Sequence, residues 1–111
     1  MTSPIDSTSL YGTLNLLVLQ AVRNGPLHGL AIARAIQSRT RDVLQVEEGA
    51  LYPALHRLRR DDLLTSEWGT SENNRRAKFY SLTAKGRARL ERETEQWIRH
   101  TGAVRRMLEV E

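Results

Sequence analysis

The sequence predicts a mostly helical α+β domain, with three helices, a β-hairpin and a long final helix in that order. Apolar residues recur at helical spacing in four segments, and two short segments of strand-like alternation flank a polar, turn-rich stretch. The chain has 111 residues, of which 40% are hydrophobic and 27% are charged. This length and composition suit one globular domain with a modest core.

The first helix is predicted over Thr13 to Val22, because TLNLLVLQAV is apolar on nearly every side. A helix of that kind is buried on several sides. The segment Asn24 to Pro26 ends it, since asparagine and glycine suit a helix C-terminus and proline cannot continue a helix. We expect the segment before this helix, residues 1–9, to be flexible.

A second helix is predicted from about His28 to Thr40, with Leu30, Ala33 and Ile36 on one apolar face. The segment Asp42 to Val46 alternates but is short. It therefore predicts either a minor strand or an extended link.

The third helix is predicted within EGALYPALHRL, where three leucines at i, i+4 and i+7 form one buried stripe. Because proline is tolerated only in the first turn of a helix, Pro53 indicates a start at Gly49 or Ala50 and not earlier. The helix is expected to end near Asp61. Glu48, at its beginning, suits the positive end of the helix dipole.

Beyond the third helix the apolar period changes from helical to alternating. The segments Leu64 to Trp68 and Lys78 to Leu82 predict two strands, and the polar stretch Gly69 to Ala77 between them predicts a hairpin with a long tip. Thr83 then suits an N-cap, so a long helix is expected to run from there to about Leu108.

The last helix carries a heptad-like apolar seam. Its members are Leu90, Thr94, Trp97, Thr101, Val104 and Leu108. A core this small cannot cover such a seam fully, so we expect a second copy of the chain to cover it and predict a homodimer. We expect Leu90, Trp97, Val104 and Leu108 at that interface. The alternative is a helix that folds back on its own domain.

This order of elements is that of a winged helix-turn-helix. We expect residues 10–82 to form that domain and residues 83–111 to form a dimerisation helix. The major groove of DNA admits one α-helix, and a basic hairpin tip can reach neighbouring phosphates. The residues expected at DNA are Gly49, Ala50, Tyr52, Pro53, His56, Arg57, Arg60, Arg75, Arg76 and Lys78.

The predicted start of the third helix assigns roles within this set. It puts Tyr52 in the first turn, near phosphate, and leaves His56 and Arg57 to read bases. Backbone amides around Gly49 and Ala50 also suit an anion, as helix N-termini do. An aromatic residue at the edge of the core is the alternative interpretation of Tyr52.

The charge of the chain supports a polyanionic partner. The formal net charge is +4, and residues 75–92 hold seven basic residues against one acidic residue. Nucleic acid is the first interpretation of such a block, an anionic membrane is the second, and an ordinary solvated surface is the alternative to both.

Other function classes lack support in the sequence. The absence of cysteine excludes disulfides, thiol chemistry and cysteine-based zinc sites, and suits a cytoplasmic location. Three scattered histidines lack metal spacing, and no glycine-rich phosphate loop, signal peptide or membrane-length apolar run is found. We therefore expect no enzyme, metal or cofactor. A winged-helix module that binds protein without binding DNA directly remains the alternative function.

The chain resembles the PadR family of transcriptional regulators, especially its short members with one helix after the wing. The matching motifs are GTLNLLVLQAV, GPLHGLAIARAI, VEEGALYPALHRLRRDDLL and SEWGTSENNRRAKFYSLTAKGR, together with a terminal helix that contains a tryptophan. The resemblance runs from about Leu10 to Leu108. It departs from the family at Leu30, where tyrosine is common, and at Ala31, where an acidic residue is common.

The resemblance implies a homodimeric repressor that binds double-stranded DNA at inverted repeats near its own or neighbouring promoters. Genes controlled in this way often encode transporters or detoxifying enzymes, and a small-molecule effector releases the repressor. The resemblance also implies DNA contacts by Tyr52, His56 and Arg57 on the reading helix and by the three cations on the wing. Trp97 falls where some members line an interface pocket for flat aromatic molecules.

Overall fold

The computed structural model describes residues 13–110, which form four helices and three strands. The elements are α1 (Leu14–Ala21), β1 (Leu27–His28), α2 (Gly29–Arg39), α3 (Glu48–Arg60), β2 (Leu64–Thr70), β3 (Arg76–Leu82) and α4 (Ala84–Leu108). This confirms the predicted mostly helical α+β class and its winged-helix order. The segment 1–9, predicted to be flexible, lies outside the described residues.

The three strands form one antiparallel sheet in the order β1-β3-β2. β2 and β3 each extend two residues further into the polar stretch than predicted, so the tip of the hairpin is residues 71–75. Gly69 pairs with Ala77 within the ladder, and the ring of Phe79 lies where a Cβ of Gly69 would be. This glycine therefore permits close packing inside a strand and does not mark the turn.

α1 is the centre of the helical layer and packs against α2, α3 and α4. Its Val18 and Leu19 are fully buried, as expected for a helix that is apolar on several sides. The predicted leucine stripe of α3 is buried against it, and Leu64 and Tyr80 of the hairpin close the same core. One core therefore fixes the outer face of α3 beside the hairpin.

α2 is capped by hydrogen bonds at both ends. The Nδ1 atom of His28 accepts a hydrogen bond from the Ala31 amide (3.3 Å), and Thr40 caps the other end. The prediction that Leu30 lies on the buried face was wrong, because this first-turn side chain is 43% exposed while Ile32 and Ile36 are buried. Residues 42–46, all of them described, form a link and no strand.

α3 begins at Glu48, earlier than predicted, with Glu47 at the N-cap. Pro53 is therefore the sixth helical residue and lies in the second turn. A proline there leaves the carbonyl of the residue four positions earlier without its amide partner. That residue is Gly49, which is exposed, so water can bond to its carbonyl. This is the physical reason why the predicted boundary was wrong.

α4 starts at a capped and tightly packed N-terminus. The Oγ1 atom of Thr83 accepts a hydrogen bond from the Gly86 amide (2.9 Å) and donates one to the Asp62 carbonyl (2.6 Å). A Cβ at Gly86 would overlap the backbone oxygen of Leu63, so only glycine fits. None of the helices within residues 13–110 is both long and apolar enough to cross a membrane.

Candidate nucleic-acid interface

The exposed face of α3 and the hairpin β2–β3, here called the wing, stand on the same side of the core. Between the wing, α3 and the start of α2 lies a groove of about 440 Å³. The side chains that matter on its walls are those of Leu30, Tyr52, Trp68, Arg75, Arg76 and Lys78. The lining of the groove thus combines apolar and aromatic side chains with three cations of the wing.

α3 presents a row of exposed residues opposite its leucine stripe. With about 100° between successive residues, positions spaced by four, three and four fall on one line of a helix. The exposed residues on that line are Gly49, Pro53, His56 and Arg60. Arg57 is exposed on one flank of the line and Tyr52 on the other. Of the residues of α3 that are predicted at DNA, all except Ala50 are therefore accessible on one continuous surface.

The predicted phosphate contact by Ala50, at the start of α3, does not match the structure. The Ala50 amide donates a hydrogen bond to the Glu47 carbonyl (3.0 Å), so it is not free to bind phosphate. Ala50 itself is half-buried against the core. The carboxylates of Glu47 and Glu48 also stand at this end of the helix and repel anions. Gly49 remains an open position, because a Cβ atom added there would contact no neighbouring atom.

Tyr52 lies in the second turn of α3, not in the first turn as predicted. Its hydroxyl oxygen and ring edge occupy the place where a Cβ of Gly29 would be, so the ring packs on the start of α2. The side chain is still 46% exposed on the wall of the groove. Tyr52 is therefore an aromatic residue at the edge of the core whose side chain remains partly exposed in the groove.

The arginines of α3 differ in the charge they leave free. Arg60 forms an ion pair with Asp61 (3.2 Å), and Arg59 donates to the Ser66 hydroxyl of the wing (3.2 Å). Arg57 forms no ion pair with any residue in the range 13–110. Because Tyr52 and Arg59 face the wing side, Arg57 lies on the flank away from the wing.

The wing carries its cations on the face that also contributes to the core. The register places Trp68 opposite Lys78 and Thr70 opposite Arg76, in line with the buried Tyr80. Arg75 lies in the tip. Within residues 13–110, no carboxylate pairs with Arg75, Arg76 or Lys78. On the side of α3 the predicted wing cations are thus unneutralised, with Arg75 and Arg76 exposed and Lys78 half-buried.

The wing tip is attached to α2 through Glu72. Its carboxylate accepts from the Nε2 atom of His28 (3.2 Å) and from Arg34 (3.4 Å). Since the Nδ1 atom of His28 accepts a hydrogen bond from the Ala31 amide, an imidazole ring in its neutral form carries its proton on Nε2. A backbone hydrogen bond at Glu72, followed by the one from His28, lowers the pKa of the Glu72 carboxyl. These contacts fix how the wing stands relative to the helices.

The seam of α4 is only partly exposed. Leu90, predicted at an interface, is 2% exposed and belongs to the core, because α4 packs on α1 over its first turns. Trp97, Val104 and Leu108 are exposed as predicted. The hydroxyls of the seam threonines donate to carbonyls of their own helix, so they need no outside partner. Ile98 and Met107, which sequence reasoning did not assign to this surface, are also exposed.

A second hollow, of about 330 Å³, lies beside Trp97 between α1 and α4. Leu16 of α1 and the side chains of Gln96 and His100 line it, and the rings of Trp97 and His100 lie 6.1 Å apart. In the part of the chain that the structure describes, no group of His, Cys, Asp and Glu could hold a metal ion.

Comparison with known proteins points in one direction. The family model of the transcriptional regulator PadR-like family matches residues 18–92. A PadR-like transcription factor from Bacteroides fragilis is 32% identical, with a TM-score of 0.72 over 91% of this chain and 95% of that one. A PadR family transcriptional regulator from Eggerthella lenta is 30% identical, with a TM-score of 0.77 over 94% and 88%.

The likeness of fold extends to a transcriptional regulator from Clostridium thermocellum. It is 24% identical, with a TM-score of 0.80 over 92% of this chain and 96% of that one. The matching family and these solved structures are transcriptional regulators and not enzymes.

Proposed function

The chain belongs to the PadR-like family of transcriptional regulators, and on that premise we propose that it is a homodimeric repressor of its own or neighbouring genes. Membership of the family makes it a DNA-binding regulator. The observation that carries the proposed mode of binding is the exposed face of α3 beside three unneutralised wing cations. In this proposal residues up to 82 bind DNA and residues from 83 onward form the dimer.

α3 is proposed to enter the major groove with His56 at the centre of its exposed face. A helix with its side chains is roughly 10–12 Å across, and the major groove is about 12 Å wide. Arg57 and Arg60 both follow His56, one and four residues further along the helix, and an arginine can bond both acceptors of a guanine edge. Gly49 and Pro53 present little bulk, which permits close approach of the sugar-phosphate chain.

The wing is proposed to bind phosphates next to the α3 site. Glu72, the acidic residue of the tip, does not neutralise Arg75, Arg76 or Lys78, because its carboxylate is turned onto His28 of β1 and Arg34 of α2. Binding of this kind releases counterions, so the affinity falls steeply with salt. A protein-interaction module that does not bind DNA would show no such salt-dependent affinity for DNA.

α4 is proposed to form the dimer through Trp97, Val104 and Leu108. Large apolar side chains repeated along one helix are rarely left to water on a monomer. A two-fold dimer presents two copies of α3, which matches an inverted repeat. Ile98 and Met107 are further exposed apolar side chains of the same helix, one on each flank of the seam.

An effector is proposed to bind in the hollow beside Trp97. An indole ring with polar neighbours such as Gln96 and His100 suits a flat aromatic compound that also carries hydrogen-bonding groups. Because the hollow joins α1 to α4, a ligand there changes how the DNA-binding part meets the dimer helix. Release of the repressor by such a compound suits control of transporter or detoxification genes.

Fluorescence anisotropy with a labelled duplex from the region upstream of the gene tests the proposed mode of binding. His56→Ala is expected to weaken binding by on the order of 1–3 kcal/mol. Arg39→Ala is the matched control, since Arg39 is an exposed residue at the far end of α2. Equal affinities for the parent and His56→Ala would contradict the assignment of α3. No binding of any duplex would favour the protein-interaction module.

A further inference from the structure

Trp68 is a large aromatic side chain that is 58% exposed on the face of the wing toward the groove. The guanidinium carbon of Arg76 lies 4.4 Å from the centre of its ring, and the ammonium nitrogen of Lys78 lies 5.2 Å from it. Both distances are within the roughly 6 Å over which a ring attracts a cation. One indole therefore holds two cations at once.

The position of the ring follows from the register of the hairpin. Lys78 is directly opposite Trp68, and Arg76 pairs with Thr70 on the same face of the sheet. The acidic neighbour Glu67 pairs with Phe79, so its side chain is on the other face. Among the paired residues of β2 and β3, the charged side chains on the face of this ring are thus Arg76 and Lys78 alone.

Long basic side chains are costly to order when they bind. A free lysine or arginine samples many rotamers and loses this freedom at an interface. A ring that already restricts two such side chains reduces that loss. Sequence reasoning had no sign of this arrangement, because a tryptophan in a strand is typical of core packing.

We propose that Trp68 is a positioning residue of the DNA interface. Its ring holds Arg76 and Lys78 in the groove between the wing and α3, so that both side chains are already ordered when they meet adjacent phosphates. This inference rests on the proposed function. The ring acts through the two cations and needs no contact of its own with a base. Removing it leaves the number of charges at the interface unchanged.

A double-mutant cycle in DNA binding tests this role. Trp68→Leu is expected to weaken binding by about tenfold, because two basic side chains that the ring no longer restricts must then be ordered on binding. In a chain that already carries Arg76→Ala and Lys78→Ala, the same change is expected to have no effect. Trp68→Phe is expected to retain most of the affinity, because a phenyl ring also attracts cations. Equal losses in both backgrounds, or no loss in the parent, would overturn the proposal.

The salt dependence of the same variants separates positioning from contact. Trp68→Leu is expected to leave the slope of log Kd against log salt unchanged, whereas the Arg76→Ala, Lys78→Ala chain is expected to lose about two units. A lower slope for Trp68→Leu would show that charges had moved away from the DNA, which counts against positioning by the ring alone. Unchanged thermal unfolding confirms that the variant is folded.

A measurement on the free protein distinguishes this inference from the proposed function. The ring current of Trp68 is expected to shift the NMR signals of the Arg76 and Lys78 methylene groups nearest the charge upfield. The shifts are expected to vanish in Trp68→Leu and to persist in Trp97→Phe. Absence of the shifts in the parent overturns the inference even if DNA binds. A parent chain that shows the shifts and binds no DNA overturns the proposed function and the role derived from it.

Discussion

Replacement of Trp97 by alanine is expected to weaken the dimer strongly. The side chain is 44% exposed in the single chain, which for a tryptophan of roughly 250 Å² leaves about 110 Å² to be covered by a partner. At about 25 cal/mol per Å², and after allowing for the exposed surface of alanine, each protomer loses about 2 kcal/mol. A two-fold interface contains the change twice, so the dimer loses about 4 kcal/mol, or about a thousandfold in Kd.

Sedimentation equilibrium over a range of concentrations measures this change directly. Arg99→Ala is the matched control, because Arg99 is exposed on the same helix but lies away from the seam. Circular dichroism confirms that both variants are folded, which matters because Trp97 also lines the hollow against α1. If Trp97→Ala and the parent share one monomer–dimer constant, the dimer is formed elsewhere and the reasoning from the exposed seam is refuted.

Three further predictions concern the wing and the start of α4. Arg75→Ala is expected to reduce the salt slope of DNA binding by about one unit, measured by anisotropy; an unchanged slope places Arg75 off the phosphates. Gly86→Ala is expected to lower the free energy of unfolding in urea by roughly 1–3 kcal/mol, through overlap with Leu63. Gly102→Ala, whose Cβ would make only an ordinary contact with the Arg106 side chain (3.8 Å), is expected to be neutral or to stabilise by up to about 1 kcal/mol. Equal stabilities would contradict the packing at α4. Glu72→Gln is expected to lower the melting temperature at about pH 7 and to match the parent once the pH is below the lowered pKa of the Glu72 carboxyl. A carboxyl whose pKa is lowered from 4.5 stabilises the fold above that value and loses this effect as the pH falls through the lowered pKa. A difference that persists at low pH would refute the ionic contribution.

Local signals in the sequence were sufficient for most of the fold. The bounds of α2 follow from the residues that end α1 before it and from the residues that cap α2 itself. Thr83 is the N-cap of α4, as its hydroxyl predicts. The order of period-3.6 and period-2 segments was enough for the winged-helix layout. These features depend on residues a few positions apart, which is the range over which sequence patterns carry information.

The errors arose where distant parts of the chain decide. Leu30 has helical spacing with Ile36, but its first-turn position turns it toward the wing. Leu90 belongs to the seam by spacing, yet α1 covers it. Pro53 predicts a helix boundary just before it, but an exposed Gly49 makes a proline in the second turn tolerable. Exposure, which determines all three outcomes, is a property of the folded chain.

The candidate site shows the same division. Its charged residues could be named from their types and from the face of the element they occupy. The arrangement of those charges could not be predicted, because His28 and Glu72 are 44 residues apart in sequence and meet only through the three-stranded sheet. The ring of Trp68 reaches Arg76 and Lys78 through the register of the hairpin, which required the structure.

Footprinting of the parent chain on DNA from the region upstream of its gene tests the central claim most directly. Two half-sites related as an inverted repeat, with centres about one helical turn apart or a multiple of it, are the predicted result. Protection is expected to be lost when His56 and Arg57 are both replaced by alanine and to be kept with Arg39→Ala. Protection without an inverted repeat, or protection that survives the loss of both α3 side chains, would contradict a dimer that reads DNA through α3.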